Sequence, residues 1–119
     1  MIKVIYSDPD LKDILESIIG RNFFILCNSI LSQLLNLLDM PSRTMNQILV
    51  EVIPHDEKEL GLADKKNYII ALKVQDSAEE NELTLIHEAI HILKPKLKEG
   101  AVEELTQRLH PKTPKGVSI

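Results

Sequence analysis

The chain has 119 residues, of which 44% are hydrophobic and 27% charged, and these proportions are ordinary for a single globular domain. The formal net charge of −4 argues against a nucleic-acid binder that depends on a broad basic surface. The single cysteine, Cys27, excludes an intrachain disulfide framework and a cysteine-rich zinc site. One lone thiol fits the reducing cytosol, so we expect a cytoplasmic protein.

The sequence predicts neither a targeting segment nor a membrane-spanning helix. The first residues lack the long apolar core of a signal peptide. The most apolar stretch, residues 23–38, is interrupted by polar side chains such as Asn28, Ser32 and Gln33. A membrane-spanning helix needs roughly 20 predominantly apolar residues, so this stretch predicts a helix buried in a core or against a partner.

Hydrophobic periodicity predicts alternating strands and helices along the chain. The predicted elements are a strand at 2–7, helices at 9–19 and 23–38, strands at 48–53 and 68–74 joined by a loop at 55–67, and helices at 77–94 and 99–109. Cys27 lies on the apolar stripe of the second helix, which indicates a small core residue. The pattern predicts an α+β fold with a small, mainly antiparallel sheet packed on helices. Residues 1–109 would form one domain and residues 110–119 an extended tail.

The third predicted helix has clear signals at both ends. Ser77 and Glu80 have the spacing of a capping box, in which the hydroxyl accepts from the Glu80 amide and the carboxylate reaches back. Lys94 precedes Pro95, which favours non-helical geometry there. The segment between these signals is therefore a well-defined helix.

This helix carries the motif His87-Glu88-Ala89-Ile90-His91, an H-E-x-x-H pattern. Histidines four residues apart lie on one helix face, so their rings can converge on one zinc ion at about 2.0–2.1 Å. Glu88 lies beside that face and can reach a zinc-bound water as a general base. The alternative interpretation is two surface histidines with a solvated glutamate between them.

A catalytic zinc needs a third protein ligand, and the downstream candidates are Glu99, Glu103, Glu104 and His110. The break at Pro95 allows the last helix to fold back across the motif helix. Glu103 and Glu104 lie off the apolar stripe of the last helix by similar angles, so periodicity does not choose between them.

Residues 69–109 resemble the small zinc metallopeptidases called minigluzincins and other compact zincin-like proteins. The resemblance rests on the strand at 69–72, the segment Thr84–His91, and the segment Glu99-Gly100-Ala101-Val102-Glu103-Glu104-Leu105. It implies an active-site helix followed by a glutamate helix, with zinc bound by His87, His91 and Glu103 and with Glu88 as the base. Larger gluzincins often carry an aspartate four residues after the glutamate ligand, whereas Glu103 is followed at that spacing by Gln107.

Three hypotheses about function follow. The first is a zinc-dependent metallopeptidase that hydrolyses peptide bonds in a peptide or protein substrate. The second is a non-catalytic binding module that keeps the zincin fold and the metal, and the third is a regulatory component whose activity is masked. Because residues 110–119 follow the last helix directly, the tail is a candidate for covering the site or for self-association. A solvated chain end is the competing interpretation.

Overall fold

The computed structural model describes residues 1–55 and 64–116. These residues form three strands, four α-helices and two short 3₁₀ segments. In chain order they are β1 (Lys3–Tyr6), α1 (Asp10–Ile19), α2 (Phe23–Leu37), a 3₁₀ segment (Ser42–Gln47), β2 (Leu49–Ile53), β3 (Ile69–Lys73), α3 (Ala78–Leu93), α4 (Glu99–Leu109) and a 3₁₀ segment (His110–Lys112). The predicted elements and the α+β class are confirmed. Most of the loop predicted at 55–67 lies outside the described residues.

The strands form one sheet in the order β1-β2-β3, and both pairings are parallel. The prediction of a mainly antiparallel sheet is therefore wrong. Alternating apolar residues specify which side of a strand is buried, but this pattern is the same for either strand direction. Two helices lie between β1 and β2, and connections of this length permit the crossover that parallel strands require.

One face of the sheet belongs to the hydrophobic core. Val50 and Val52 of β2 are fully buried, and they pair in register with Ile70 and Leu72 of β3. On the opposite face, Ile5 of β1 is 46% exposed. The most deeply buried large side chains are all Leu or Ile, as the low aromatic content predicts. Cys27 is buried among them, and burial raises the pKa of its thiol.

The start of α3 is held by two side chains. The Ser77 hydroxyl accepts from the Glu80 amide at 3.1 Å, as predicted, and the Glu80 carboxylate lies 3.2 Å from the same hydroxyl. Buried Asn81 accepts from the Gln75 amide and donates to the Gln75 and Ser77 carbonyls. These bonds join the segment after β3 to the first turn of α3, and so they fix where the motif helix begins.

Helix α4 returns along α3 after a short turn. Helix α3 ends at Leu93, and Lys94 leaves helical geometry before Pro95. The Leu97 amide then donates to the Lys94 carbonyl at 3.0 Å, and α4 begins at Glu99. Fully buried Val102 anchors α4 in the core, so the polar side of its first turns faces the end of α3.

The described part of the tail, residues 110–116, packs against α1 and α3. The prediction of an extended tail is wrong at its start, where His110–Lys112 form a 3₁₀ turn. Glu82 is almost completely buried, and its carboxylate binds His110 Nε2 at 2.8 Å and the Gly116 amide. Arg21 donates to the Lys115 carbonyl at 2.9 Å. The buried Glu82 carboxylate explains why the tail packs here, because a buried carboxylate needs polar partners inside the fold.

Across the described ranges, no single helix is long and apolar enough to span a bilayer. Helices α1 and α2 meet the length and composition criteria only as a pair, with a bend of 64° between them.

Candidate metal centre

The two histidines of the H-E-x-x-H motif lie side by side in the last turns of α3. Their Nε2 atoms are 3.2 Å apart, and the ring centroids are 4.9 Å apart. Both side chains are largely buried, with exposed fractions of 18% for His87 and 14% for His91. The spacing of four residues produces this convergence within one helix, as the sequence predicts.

The first residue of α4 completes a group of three. Glu99 places Oε1 at 2.6 Å from Nε2 of His87 and Oε2 at 2.8 Å from Nε2 of His91. The ligand atoms of these residues lie within 4.8 Å of one another, so His87, His91 and Glu99 lie close enough to hold a metal ion. Glu99 was one of four candidates in the sequence analysis. Its position directly after the turn at Pro95 brings it to the end of α3.

Glu103 lies one turn further along α4 and contacts the other side of His87. Its Oε2 atom is 3.0 Å from Nδ1 of His87, and its Oε1 atom accepts from Gln107 at 3.2 Å. In this arrangement Glu103 faces the outer ring nitrogen rather than the pair of Nε2 atoms. The role of Glu103 as a metal ligand, which the resemblance implied, stays a prediction.

The two remaining candidates lie elsewhere. Glu104 is 75% exposed and pairs with Arg108 at 3.1 Å on the outer face of α4. His110 binds buried Glu82, which lies on a different face of α3 from His87. Neither of these side chains joins the group at the end of α3.

The charge balance of the centre favours an ionised carboxylate. Desolvation raises the pKa of Glu99, but Coulombic interaction with His87 and His91 and the hydrogen bonds from these residues to the carboxylate outweigh it. The net result is a pKa below the ordinary value for a glutamate. An ionised carboxylate with two imidazoles is a donor set that suits zinc and related divalent metals.

A cleft of about 220 Å³ lies between α3 and α4 beside the histidines. Glu88 and Glu103 border it, and its lining is completed by Leu83, Thr84, His87, Thr106 and Gln107. A carboxylate in such a cleft can take a proton from a water held near His87. The motif glutamate therefore borders a space that could admit part of a substrate.

Comparisons of this chain with protein-family models, with curated proteins and with solved structures found no match. The class of the site is therefore defined by its own geometry, namely two histidines and a glutamate grouped at the meeting point of two helices, with a further glutamate beside a cleft.

Proposed function

We propose that this protein is a zinc-dependent metallopeptidase of the compact zincin-like kind, in which His87, His91 and Glu99 hold the metal. The observation that carries the proposal is the convergence of these three side chains, two of them from an H-E-x-x-H motif whose glutamate, Glu88, lines a cleft together with His87. A purely structural zinc site usually has four protein ligands and needs no adjacent base. Three protein ligands leave a coordination position for water or substrate, which is the arrangement of catalytic zinc sites.

A zinc ion bound there would polarise the scissile carbonyl and lower the pKa of a bound water toward neutrality. Glu88 would act as the general base that takes a proton from the attacking water and passes it to the leaving amine. Glu103 accepts a hydrogen bond from Nδ1–H of His87, which presents Nε2 of the same ring for coordination. The cleft that Glu88 and His87 line would hold part of the peptide.

With Glu99 as the third ligand, the residue four positions later is Glu103, an acidic side chain that contacts His87. Larger gluzincins often carry an aspartate at this spacing that supports a histidine, and here a glutamate occupies the position. With Glu103 as the ligand, the same position is Gln107.

A non-catalytic zincin-like module that binds metal is the second candidate. It is favoured by the position of His110, the only histidine downstream of the motif, which is engaged by Glu82. That histidine is therefore not available to stabilise an oxyanion at the metal, and loss of such a donor reduces catalysis strongly.

Substitution of the motif glutamate separates the two candidates. Glu88→Gln should retain zinc, measured by elemental analysis of protein purified without chelators. Hydrolysis of a mixed peptide library should fall by about 10²–10⁴-fold, because the general base is lost. Glu104→Gln is the matched control, since Glu104 pairs only with Arg108 on the outer face of α4. Zinc binding without any hydrolysis in the wild type would favour the non-catalytic module.

A further inference from the structure

The turn between α3 and α4 carries a dense group of lysines. Lys94, Lys96 and Lys98 alternate along this turn, and Lys65 reaches it from the segment before β3, with Nζ at 3.4 Å from the Pro95 carbonyl. We call these four residues the lysine cluster. They are four of the chain's eleven lysines, in a protein whose formal net charge is −4. The sequence analysis did not single out this alternation.

Two members of the lysine cluster, Lys94 and Lys96, line a small apolar pocket. The pocket has a volume of about 220 Å³, and its lining, which is almost entirely apolar, comes from Leu93, Lys94, Pro95, Lys96 and Leu97. Typical small-molecule pockets are about 300–1,000 Å³, so this one is suited to a single apolar side chain rather than to a cofactor. Lysine stems can line such a pocket while their ammonium groups remain in water.

The acidic groups nearest to the cluster in sequence already have partners. Asp64 accepts from the amides of Lys66 and Asn67 and from the Asn67 side chain. Glu99 is bound to the two motif histidines. Within residues 1–55 and 64–116, no ion pair involves a member of the lysine cluster. The cluster therefore presents positive charge beside an apolar recess.

We propose that the lysine cluster and its pocket form a docking site for an acidic peptide segment that inserts one apolar side chain. Charge complementarity argues for the acidic flanks, and the recessed apolar lining argues for the inserted side chain. A membrane surface is usually engaged by protruding apolar groups rather than by a recess. Single-stranded nucleic acid is held by aromatic platforms, and the pocket lining contains no aromatic residue.

The docking site adjoins the candidate metal centre along the chain. His91 lies two residues before Leu93 of the pocket, and Glu99 directly follows Lys98 of the cluster. A segment held at the turn would lead toward the three candidate ligands. The idea that the docked segment belongs to the substrate rests on the proposed function. The docking itself depends only on the lysine cluster and the pocket.

The test measures binding apart from cleavage. The full chain carrying Glu88→Gln is titrated, by fluorescence polarisation, into a labelled short peptide in which one leucine is flanked by glutamates. Replacing the peptide leucine with serine should weaken binding about tenfold or more, since the pocket then receives no apolar side chain. A peptide in which lysines flank the leucine should not bind. Added salt should weaken the binding of the acidic peptide, because it screens the charges.

Variants of the protein complete the test. Lys94→Gln combined with Lys96→Gln should weaken binding of the acidic peptide about three- to tenfold. The control combines Lys3→Gln with Lys112→Gln, which removes the same charge from two exposed lysines outside the cluster and should leave binding unchanged. An equal loss in both variants would overturn the proposal, because net charge alone would then explain binding. Tighter binding to phosphatidylserine vesicles or to single-stranded RNA than to the acidic peptide would overturn it too.

The peptide-binding experiment and the zinc test can reject the two proposals independently of each other. Acidic peptide binding without zinc or hydrolysis would keep the docking site and reject the peptidase. Zinc-dependent hydrolysis with no preference for the acidic peptide would keep the peptidase and reject the docking site.

Discussion

Glu103 lies 3.0 Å from Nδ1 of His87, on the opposite side of the imidazole from the nitrogen that faces Glu99. Two glutamates one helical turn apart on α4 thus contact the two nitrogens of one ring. A carboxylate on the outer nitrogen fixes the tautomer and orientation of a metal-binding histidine and increases its basicity. The two carboxylates therefore contact His87 in different ways, Glu99 at Nε2 and Glu103 at Nδ1.

Substitutions on α4 should separate these roles by metal affinity. Glu99→Ala should abolish tight zinc binding, because two histidines alone do not hold a catalytic zinc. Glu103→Ala should weaken binding by about 10–100-fold, as the loss of a supporting carboxylate typically does. Glu104→Ala should have no effect, since this residue pairs with Arg108. Competition with a chromophoric zinc chelator measures all three affinities.

The reverse order of effects would reassign the ligand. If Glu103→Ala abolishes binding while Glu99→Ala only weakens it, then Glu103 is the third ligand, as the resemblance to minigluzincins implies. A large loss on Glu104→Ala would contradict both assignments.

Zinc should raise the melting temperature of the protein. A ligand that binds only the folded state adds about 2.7 kcal/mol when its free concentration is 100 times the dissociation constant. Differential scanning fluorimetry should show the rise with zinc and its reversal by excess chelator. The His91→Ala variant should show no rise, since one of the three ligands is missing. A comparable rise in that variant would mean that zinc binds elsewhere.

Two glycines provide a matched test of tail docking. A Cβ atom on Gly116 would lie 2.8 Å from the Ile19 carbonyl oxygen and 3.1 Å from Glu82 Oε2. Gly116→Ala should therefore displace the tail and lower the stability of the fold. A Cβ atom on Gly100 meets nothing within 4 Å, so Gly100→Ala in α4 should be neutral or stabilising by up to about 1 kcal/mol. Urea denaturation compares the two variants.

Removal of residues 111–119 extends that test. The described part of the tail contacts Glu82 and Arg21 rather than the metal centre, so its removal should lower stability without increasing peptide hydrolysis. Increased hydrolysis at unchanged zinc content would instead support a tail that covers the site. Residues 117–119 lie outside the described part of the chain, so whether they cover the site stays a prediction.

Stability should fall at high pH through Tyr6. Desolvation, followed by the negative charge of Glu16, raises the pKa of Tyr6 from 10.0 to about 12. Between these values the unfolded chain releases the phenolic proton and the folded chain keeps it, so rising pH favours unfolding. The free energy of unfolding of the wild type should therefore decrease from pH 10 to pH 12, and Tyr6→Phe should reduce that slope. An identical slope in both proteins would contradict the shifted pKa.

The local features of α3 could be predicted from the sequence because they depend on contacts within a few residues. The Ser77 cap joins residues three apart, and His87 and His91 converge because a helix places residues four apart on one face. The alternation of Val50 and Val52 likewise identifies the buried face of β2. No tertiary contact is needed to specify any of these relationships.

The strand direction and the third member of the metal group were decided by tertiary structure. Parallel and antiparallel strands bury the same alternating residues, so the connection through α1 and α2, rather than the pattern, sets the direction of β2. Glu99, Glu103 and Glu104 are all exposed acidic residues of α4. Val102 packs into the core and so sets the rotation of α4 about its axis. With this rotation, Glu99 contacts both histidines and Glu103 contacts the other nitrogen of His87. Glu104 points outward and pairs with Arg108. A rotation of α4 by one residue position, about 100° for a helix of 3.6 residues per turn, would bring Glu104 to the place of Glu103 and Gly100 to that of Glu99, and it would take Val102 out of the core.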